Sequence, residues 1–448
     1  MERDNHFMFM LMRRSSLLAL LLAASLLAGC GGVPGLSGGE TGLVEAQADL
    51  SSVAKDLAKH RIAETPEGVW VRQLPGISRE KMATVLSYRA MDNDLAGDLP
   101  KHLNDLEEAG SSAYANLLVF SDADGQDDTR LHYMVQDSRR AIASPWLYAE
   151  GPLRLNGKEL NSASPETLER FVGWGFREYP GRFKLLDVSS HGSGYQGMCV
   201  DFSSNYAQMP LHSFGTAVRQ GLKGRQLDVL NLLACLMSSV EVAYEFRDVA
   251  QVMVASEDLI MGGRVLPYSQ TFGRLSARSD WQKADARDVA RQLVEDARPD
   301  VPASGAYTMA AIDLSQIADV KRQLNVLSNL LLERLVANRR EILAAYDGVP
   351  VLRKDKGQSS HRDLIRFARE LQARVADPEI REAAGILITS CERAILVAKR
   401  KKMERDVANG LSVYLPDPDE EFNAAYRETR LAKESSWDEF LLAVKASR

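Results

Sequence analysis

The sequence predicts an α/β fold: a mainly parallel sheet covered by helices on both faces, followed by a mostly helical C-terminal subdomain. Three observations carry this expectation. Apolar runs of strand length recur between residues 83 and 255, helix-length amphipathic stretches separate several of them, and strand signals become scarce after residue 276. Near-continuous apolar strands require cover on both faces, and strands that alternate with helices run mostly parallel.

The strand candidates are 83–89 (ATVLSYR), 115–120 (ANLLVF), 131–136 (LHYMVQ), 183–189 (FKLLDVS), 227–233 (LDVLNLL) and 250–255 (AQVMVA). Helical spacing covers 94–109, 165–178, 210–223 and 236–247 between them. This defines a core over residues 80–275. In the subdomain over 276–448, helices are expected at 282–298, 313–345, 361–375 and 379–405. A late strand at 410–415 (GLSVYL), closed by Pro416 and Pro418, is expected to return to the sheet. The basic run Lys399 to Lys402 reads as a solvated face near a helix end, where it complements the helix dipole.

The N-terminus reads as an export signal. Arg13 and Arg14 precede an apolar stretch from Leu17 to Leu27, then small Ala28 and Gly29, then Cys30. The stretch is about half the ~20 residues that span a bilayer as a helix. Residues 31–42 (GGVPGLSGGETG) form a flexible tether, and 43–63 alternate at helical spacing. The Leu-Ala-Gly-Cys ending resembles the lipobox of bacterial lipoproteins. That resemblance implies a signal peptide over 1–29, cleavage before Cys30, and acylation of Cys30 as a membrane anchor; residues 30–79 then carry the lipid, the tether and a short helix. Gly31 lacks the aspartate that retains lipoproteins in the inner membrane, so an outer-membrane site is expected if the source is Gram-negative.

A net charge of −6, with 45% hydrophobic and 26% charged residues, is that of a globular protein and gives no hint of nucleic-acid binding. With Cys30 lipidated, Cys199, Cys235 and Cys391 remain. An odd number of thiols in an exported chain points to at least one free and reactive cysteine.

Two strand ends carry chemistry. LLDVSS ends in His191-Gly192-Ser193-Gly194, and LDVLNLL ends in Ala234-Cys235. Reactive groups in such sheets collect at the carboxyl ends of strands. If the two strands are neighbours, an imidazole and a thiol share one edge. A cysteine attacks as thiolate, and a nearby imidazole takes its proton or gives one to the leaving group. The N–H groups of Gly192 and Cys235 would then hold a tetrahedral oxyanion, worth about 3–4 kcal/mol per good donor. Each feature alone is ordinary: a cysteine after an apolar strand is most often a small core residue, and His-Gly is most often a turn.

The combination resembles the caspase-like cysteine peptidases, and the clostripain family in particular. The residues that carry the likeness are MDNDLAGDL at 91–99, SSHGSGY at 189–195, ACLMSSVEVAYEF at 234–246, ASED at 255–258, Pro267-Tyr268 and GLSVYLP at 410–416. The resemblance implies a three-layer α/β/α sandwich, hydrolysis of peptide bonds in a peptide or protein substrate, His191 as catalytic histidine and Cys235 as nucleophile. It makes Asp92 and Asn93 site-supporting and sets Ser256, Glu257 and Tyr268 close to the substrate pocket. Glu241 is expected to cap or pair within its own helix, and Cys199 and Cys391 to be spectators.

The sequence also departs from that family. Clostripain-like enzymes usually read Asp-Ala-Cys, where the aspartate helps hold a basic P1 side chain. Here the position is Leu233, and an arginine buried against leucine would be left unpaired at high cost. Leu266 stands where the family usually has tryptophan. An uncharged P1 preference is therefore expected, and self-cleavage at Arg219, Lys223 or Arg225, as in some family members, becomes doubtful. The alternative is a catalytically silent relative that binds peptides or assists envelope assembly. No cofactor is required by the dyad. Clostripain depends on calcium; no compact calcium loop is evident, but Asp122, Asp124, Asp127 and Asp128 cluster in one loop.

Overall fold

The computed structural model describes residues 61–64, 69–72, 80–144, 146–148, 159–260, 266–297, 307–353, 360–401, 407–417 and 420–448. Cys30, the tether and most of the helix expected over 43–63 lie outside these residues. The last part of that span is extended instead, in β1 (Arg61–Glu64).

The strands that follow are β2 (Val69–Arg72), β3 (Lys81–Ala90), β4 (Ala115–Asp122), β5 (Arg130–Tyr133), β6 (Trp146–Tyr148), β7 (Gly181–Ser189), β8 (Met198–Asp201) and β9 (Ala207–Met209). Then come β10 (Leu227–Leu233), β11 (Ala250–Ala255), β12 (Tyr307–Asp313), β13 (His361–Asp363), β14 (Ile395–Lys401) and β15 (Ser412–Tyr414). An 11-stranded sheet runs in the order β1-β2-β6-β5-β4-β3-β7-β10-β11-β12-β14. Its centre, β4-β3-β7-β10-β11, is parallel throughout. Strands β5, β12 and β14 each run antiparallel to their inner neighbour.

The helices are α1 (Leu99–Ala109), α2 (Pro165–Glu178), α3 (Leu211–Leu222), α4 (Val240–Glu245), α5 (Tyr268–Ala277) and α6 (Ala286–Asp296). The C-terminal part adds α7 (Ile317–Arg334), α8 (Arg339–Asp347), α9 (Leu364–Arg374), α10 (Pro378–Ala394), α11 (Arg430–Lys433) and α12 (Trp437–Ala446). Local sequence explains their starts. Pro165 supplies the fixed φ of a first helical turn. Asp363 accepts from Arg366 N at the start of α9, and Asp377 accepts from Glu379 N and Ile380 N at the start of α10.

Alternation along the strands divides the interior into two cores. Leu86, Tyr88, Phe120, Leu186, Val188, Leu230 and Leu232 pack with α2, α3, α4 and the C-terminal helices. Val85, Val119, Leu185, Val229, Val252 and Val254 pack with α1, α5 and α6 on the opposite face. The result is an α/β/α sandwich. Each fully buried leucine or phenylalanine contributes about 1.5–3 kcal/mol relative to exposure, so the sheet's placement is fixed from both faces.

Several sequence expectations are corrected here. The segment after residue 276 contributes β12 and β14 to the main sheet, where helix or no element was expected. The run read as one helix over 379–405 is α10 followed by an edge strand. Lys399 therefore lies on β14, not at the end of its own helix; its Nζ donates to the carbonyls of Glu295 and Ala297 at the end of α6. The late strand β15 does not join the main sheet. It pairs with β13, which was expected to be helical, in a two-stranded sheet, and Ser412 bridges to Ser239 beside the cysteine loop.

Candidate active site

Parallel pairing of β7 with β10 sets Ser189 opposite Leu233. His191 and Cys235 each lie two residues beyond that pair, at the same edge of the sheet. The two loops touch. A Cβ on Gly192 would fall 2.7 Å from Ala234 Cβ and from the Cys235 carbonyl oxygen, so only glycine allows this approach. Gly194 sits in the left-handed region at φ 60, and a Cβ there would strike His361. Leu236, directly after the cysteine, is held at φ 61, an uncommon conformation for a branched residue.

His191 is oriented by Asp94, which lies outside the expected site residues. Its Nε2–H donates to Asp94 Oδ1 at 2.5 Å. The carboxylate is 71% exposed, so solvent screens the pair and its role is orientation rather than stability. Asp94 sits in the loop after β3, the other parallel neighbour of β7. Asn93 builds that loop: its Nδ2 donates to the carbonyls of Ala90 and Val200, and its Oδ1 accepts from Leu95 N. Asp92 accepts from Ser203 N through Oδ2. Both residues expected to support the site thus hold the segment that presents Asp94. Only the adjacent motif MDND hinted at the third acid.

Ile260 brackets the Cys235 sulfur. Its N–H donates to Sγ at 3.3 Å, and its carbonyl lies 3.8 Å from Sγ in position to accept from the thiol. Leu236, Leu259 and Leu352 form the apolar wall beside it. Arg353 secures that wall by pairing with buried Asp258 and donating to the Leu259 carbonyl.

Beneath this edge lies a buried polar cluster. Arg89 pairs with Asp187, and both side chains are fully buried. Asn231 Nδ2 donates to Asp187 Oδ1 at 2.6 Å, and Ser87 Oγ donates to Asp187 Oδ2 at 3.2 Å. Burial pushes the Asp187 carboxyl up even with the Arg89 guanidinium beside it. Tyr268 completes the cluster: its hydroxyl accepts from Arg89 Nη1 at 2.9 Å, and the guanidinium stacks over its ring. Tyr268 therefore sits buried beneath the pocket rather than lining an open surface. Leu233 and Leu266 are buried in the same apolar core as Tyr268.

The remaining expected pocket residues belong elsewhere. Ser256 Oγ bonds Thr308 Oγ1 at 2.7 Å, and Glu257 Oε2 accepts from Gly410 N at 3.0 Å. Both are fully buried ties to β12 and the chain before β15, not pocket groups. Burial drives the Glu257 carboxyl well above the carboxylate range, and Asp363 and Asp258 add to the rise. Glu241 does not pair within its helix either. Its Oε1 accepts from Tyr414 N and from the Tyr426 hydroxyl, both at 2.9 Å, and so locks β15 to α4. Cys199 and Cys391 are buried free thiols whose pKa burial raises. Arg219, Lys223 and Arg225 lie in α3 and the turn entering β10, at the far end of that strand from Cys235. Seven residues of β10 put about 23 Å between those ends.

The expected acidic loop also gains partners. Asp122 shares one cluster with Asp92 and Asp201, and another with Asp128 and Glu159, with oxygens within 4.8 Å of one another in each. Asp124 and Asp127 stand outside both. Burial raises the Asp122 carboxyl to about 8. Its Oδ2, and Oε1 of Glu159, are buried without a hydrogen-bond partner. Buried orphan oxygens facing other carboxylates suit a hard cation with oxygen ligands.

A caspase-like sandwich with a thiol and an imidazole at adjacent strand ends defines a cysteine peptidase. The chain belongs to the clostripain family, whose model matches residues 87–443. It is 22% identical over 429 positions to the clostripain of Hathewaya histolytica, spanning 79% of this chain and 78% of that one. Its fold is similar to a secreted C11 cysteine protease from Bacteroides thetaiotaomicron solved with an irreversible peptide inhibitor. That match has a TM-score of 0.59 at 18% identity and covers 81% of this chain and 99% of the other. An inactive zymogen C11 protease from Parabacteroides distasonis matches with a TM-score of 0.57 at 20% identity, covering 79% of this chain and 98% of the other.

Removal of the Asp94 carboxylate tests its orienting role. Asp94→Ala is expected to lower kcat about tenfold, or 1.4 kcal/mol, with KM little changed. Asp94→Asn, which keeps an acceptor oxygen, should retain more of the rate. Equal rates for wild type and Asp94→Ala would show that His191 needs no such partner.

Proposed function

We propose that this clostripain-family chain hydrolyses peptide bonds with Cys235 as nucleophile and His191 as proton carrier, and prefers an uncharged P1 residue. The observation that carries the reading is the register of β7 on β10, which brings both loops to one edge. The thiol proton passes to His191, and the thiolate attacks the scissile carbonyl carbon. The electron pair displaced onto oxygen is met by the N–H groups of Gly192 and Cys235. The adduct expels the amine as His191 returns the proton, leaving a thioester. Water then adds to the thioester, giving its proton to His191, and the carboxylic acid and free thiol are released.

Buried Leu233 and Leu266 support the P1 preference, because neither offers a charge to a cationic side chain. Asp187, on the same face of the sheet, is already committed to Arg89 and Asn231. A fluorogenic library that varies P1 is the direct check. The expected profile favours apolar or uncharged polar residues, while a sharp preference for arginine or lysine contradicts the pocket reading.

Asp92, Asp122 and Asp201, or Asp122, Asp128 and Glu159, would hold calcium, which would supply structural charge neutralisation beside the loop that carries Asp94. Saturation to about 100 times Kd stabilises a folded protein by about 2.7 kcal/mol. Calcium is therefore expected to raise Tm over a chelated sample, and Asp122→Asn to abolish the rise. Identical melting curves with and without calcium would remove the assignment.

The export signal supports an extracytoplasmic protein held by lipid on Cys30. No helix among the described residues is long and apolar enough to cross a membrane. Metabolic labelling with an alkyne fatty acid should mark the wild-type chain and not Cys30→Ala. Equal labelling of both would exclude Cys30 as the acylated residue.

A further inference from the structure

The hairpin of β8 and β9 ends in Phe202-Ser203-Ser204-Asn205-Tyr206, and its tip exposes two aromatic rings. Phe202 is 37% and Tyr206 71% exposed, and no other phenylalanine, tyrosine or tryptophan among the described residues is as open. Their rings lie 4.8 Å apart between centroids. A single exposed aromatic residue needs no explanation. Two in contact, on a rigid tip beside a reaction centre, form an apolar platform.

The tip is built rather than loose. Phe202 N donates to the Asp92 carbonyl at 2.8 Å, and Ser203 N to the Asp92 carboxylate at 3.2 Å. Ser204 N donates to Asp201 Oδ1 at 2.7 Å. Asn205 and Tyr206 are both held at positive φ, 61 and 56, where side chains are disfavoured. Consecutive strained residues persist only when surrounding bonds over-determine them, and such strain gathers at binding sites.

The hairpin also grows out of the histidine loop. Cys199 N donates to the His191 carbonyl at 3.1 Å, and Gly192 bridges to Met198. The same Asp92 that holds the tip precedes Asp94, the partner of His191. Under the peptidase reading, on which this inference rests, His191 hands its proton to the departing amine. The half of the substrate that leaves must then lie over His191, on the hairpin side of the cleft.

We infer that Phe202 and Tyr206 form a subsite for an apolar side chain on the carboxyl-terminal, leaving half of the peptide substrate. The rings offer flat, pre-positioned apolar area that loses little conformational entropy when covered. The site selects among peptides that share the same residues before the scissile bond.

The experiment compares internally quenched peptides identical up to P1, with either leucine or glycine at the first two positions after it. The wild-type chain is expected to favour the leucine peptide about tenfold in kcat/KM, mostly through KM, and F202S/Y206S is expected to reduce that ratio to near one. A merely structural role would slow both peptides alike and leave the ratio standing. An unchanged ratio in the variant, or no preference in the wild type, overturns the subsite. Cleavage of no peptide by the wild-type chain overturns the peptidase reading, and the subsite with it.

Discussion

The register of three parallel strands is the constraint on which the site depends. Arg89 of β3 lies opposite Ser189 of β7, which lies opposite Leu233 of β10. The loops that follow carry Asp94, His191 and Cys235, so a shift of either pairing would move one group away from the other two. Side chains pin the register as well as backbone bonds do. Arg89, Asp187, Asn231 and Ser87 form one hydrogen-bonded cluster across these strands, one layer below the reaction edge. A buried ion pair of this kind adds little net stability, but losing one partner costs about 3–5 kcal/mol. Its value lies in making the wrong register expensive.

A second lock comes from the far end of the chain. Ser412 N donates to the Ser238 carbonyl, Ser238 Oγ donates to the Gly410 carbonyl, and Glu241 receives Tyr414 N and the Tyr426 hydroxyl. His361 of β13 packs against Gly194 in the histidine loop and rings with Tyr195. The cysteine loop and the histidine loop are thus both backed by the last hundred residues. Leu236, at φ 61, lies between these bonds and the Asp258 carbonyl that accepts its N–H. The C-terminal part is a structural wall of the site, which explains why strands β13 and β15 form apart from the main sheet.

The central sheet was legible in the sequence because its strands are buried on both faces and read as unbroken apolar runs. Helix α2 was legible for the opposite reason, since Leu168, Phe171 and Val172 recur on one face after a proline start. Strand β14 was not. Its residues ILVAKRK follow α10 with no glycine or proline between, and as an edge strand it stays half-exposed, so neither period nor burial marks it. Strand β13 is three residues long and runs straight into α9, whose capping Asp363 it contains. At the candidate site, the sharing of one sheet edge by His191 and Cys235 was readable from their places at strand ends. Asp94 was not, because an exposed acid in a loop carries no pattern until the fold brings it to the imidazole. Ser256 and Glu257 were misread for the converse reason: polar residues just after a strand suggest a cleft, yet here they face β12 and Gly410.

The proposed nucleophile of this clostripain-family chain is Cys235, with His191 on the neighbouring strand's loop as its proton carrier. Covalent labelling with a peptidyl acyloxymethyl ketone carrying an uncharged P1 residue, mapped by peptide mass spectrometry, tests it most directly. One adduct is expected, on the peptide containing Cys235, formed much more slowly in His191→Ala and absent in Cys235→Ala. An adduct on Cys199 or Cys391, or labelling indifferent to His191, would contradict it.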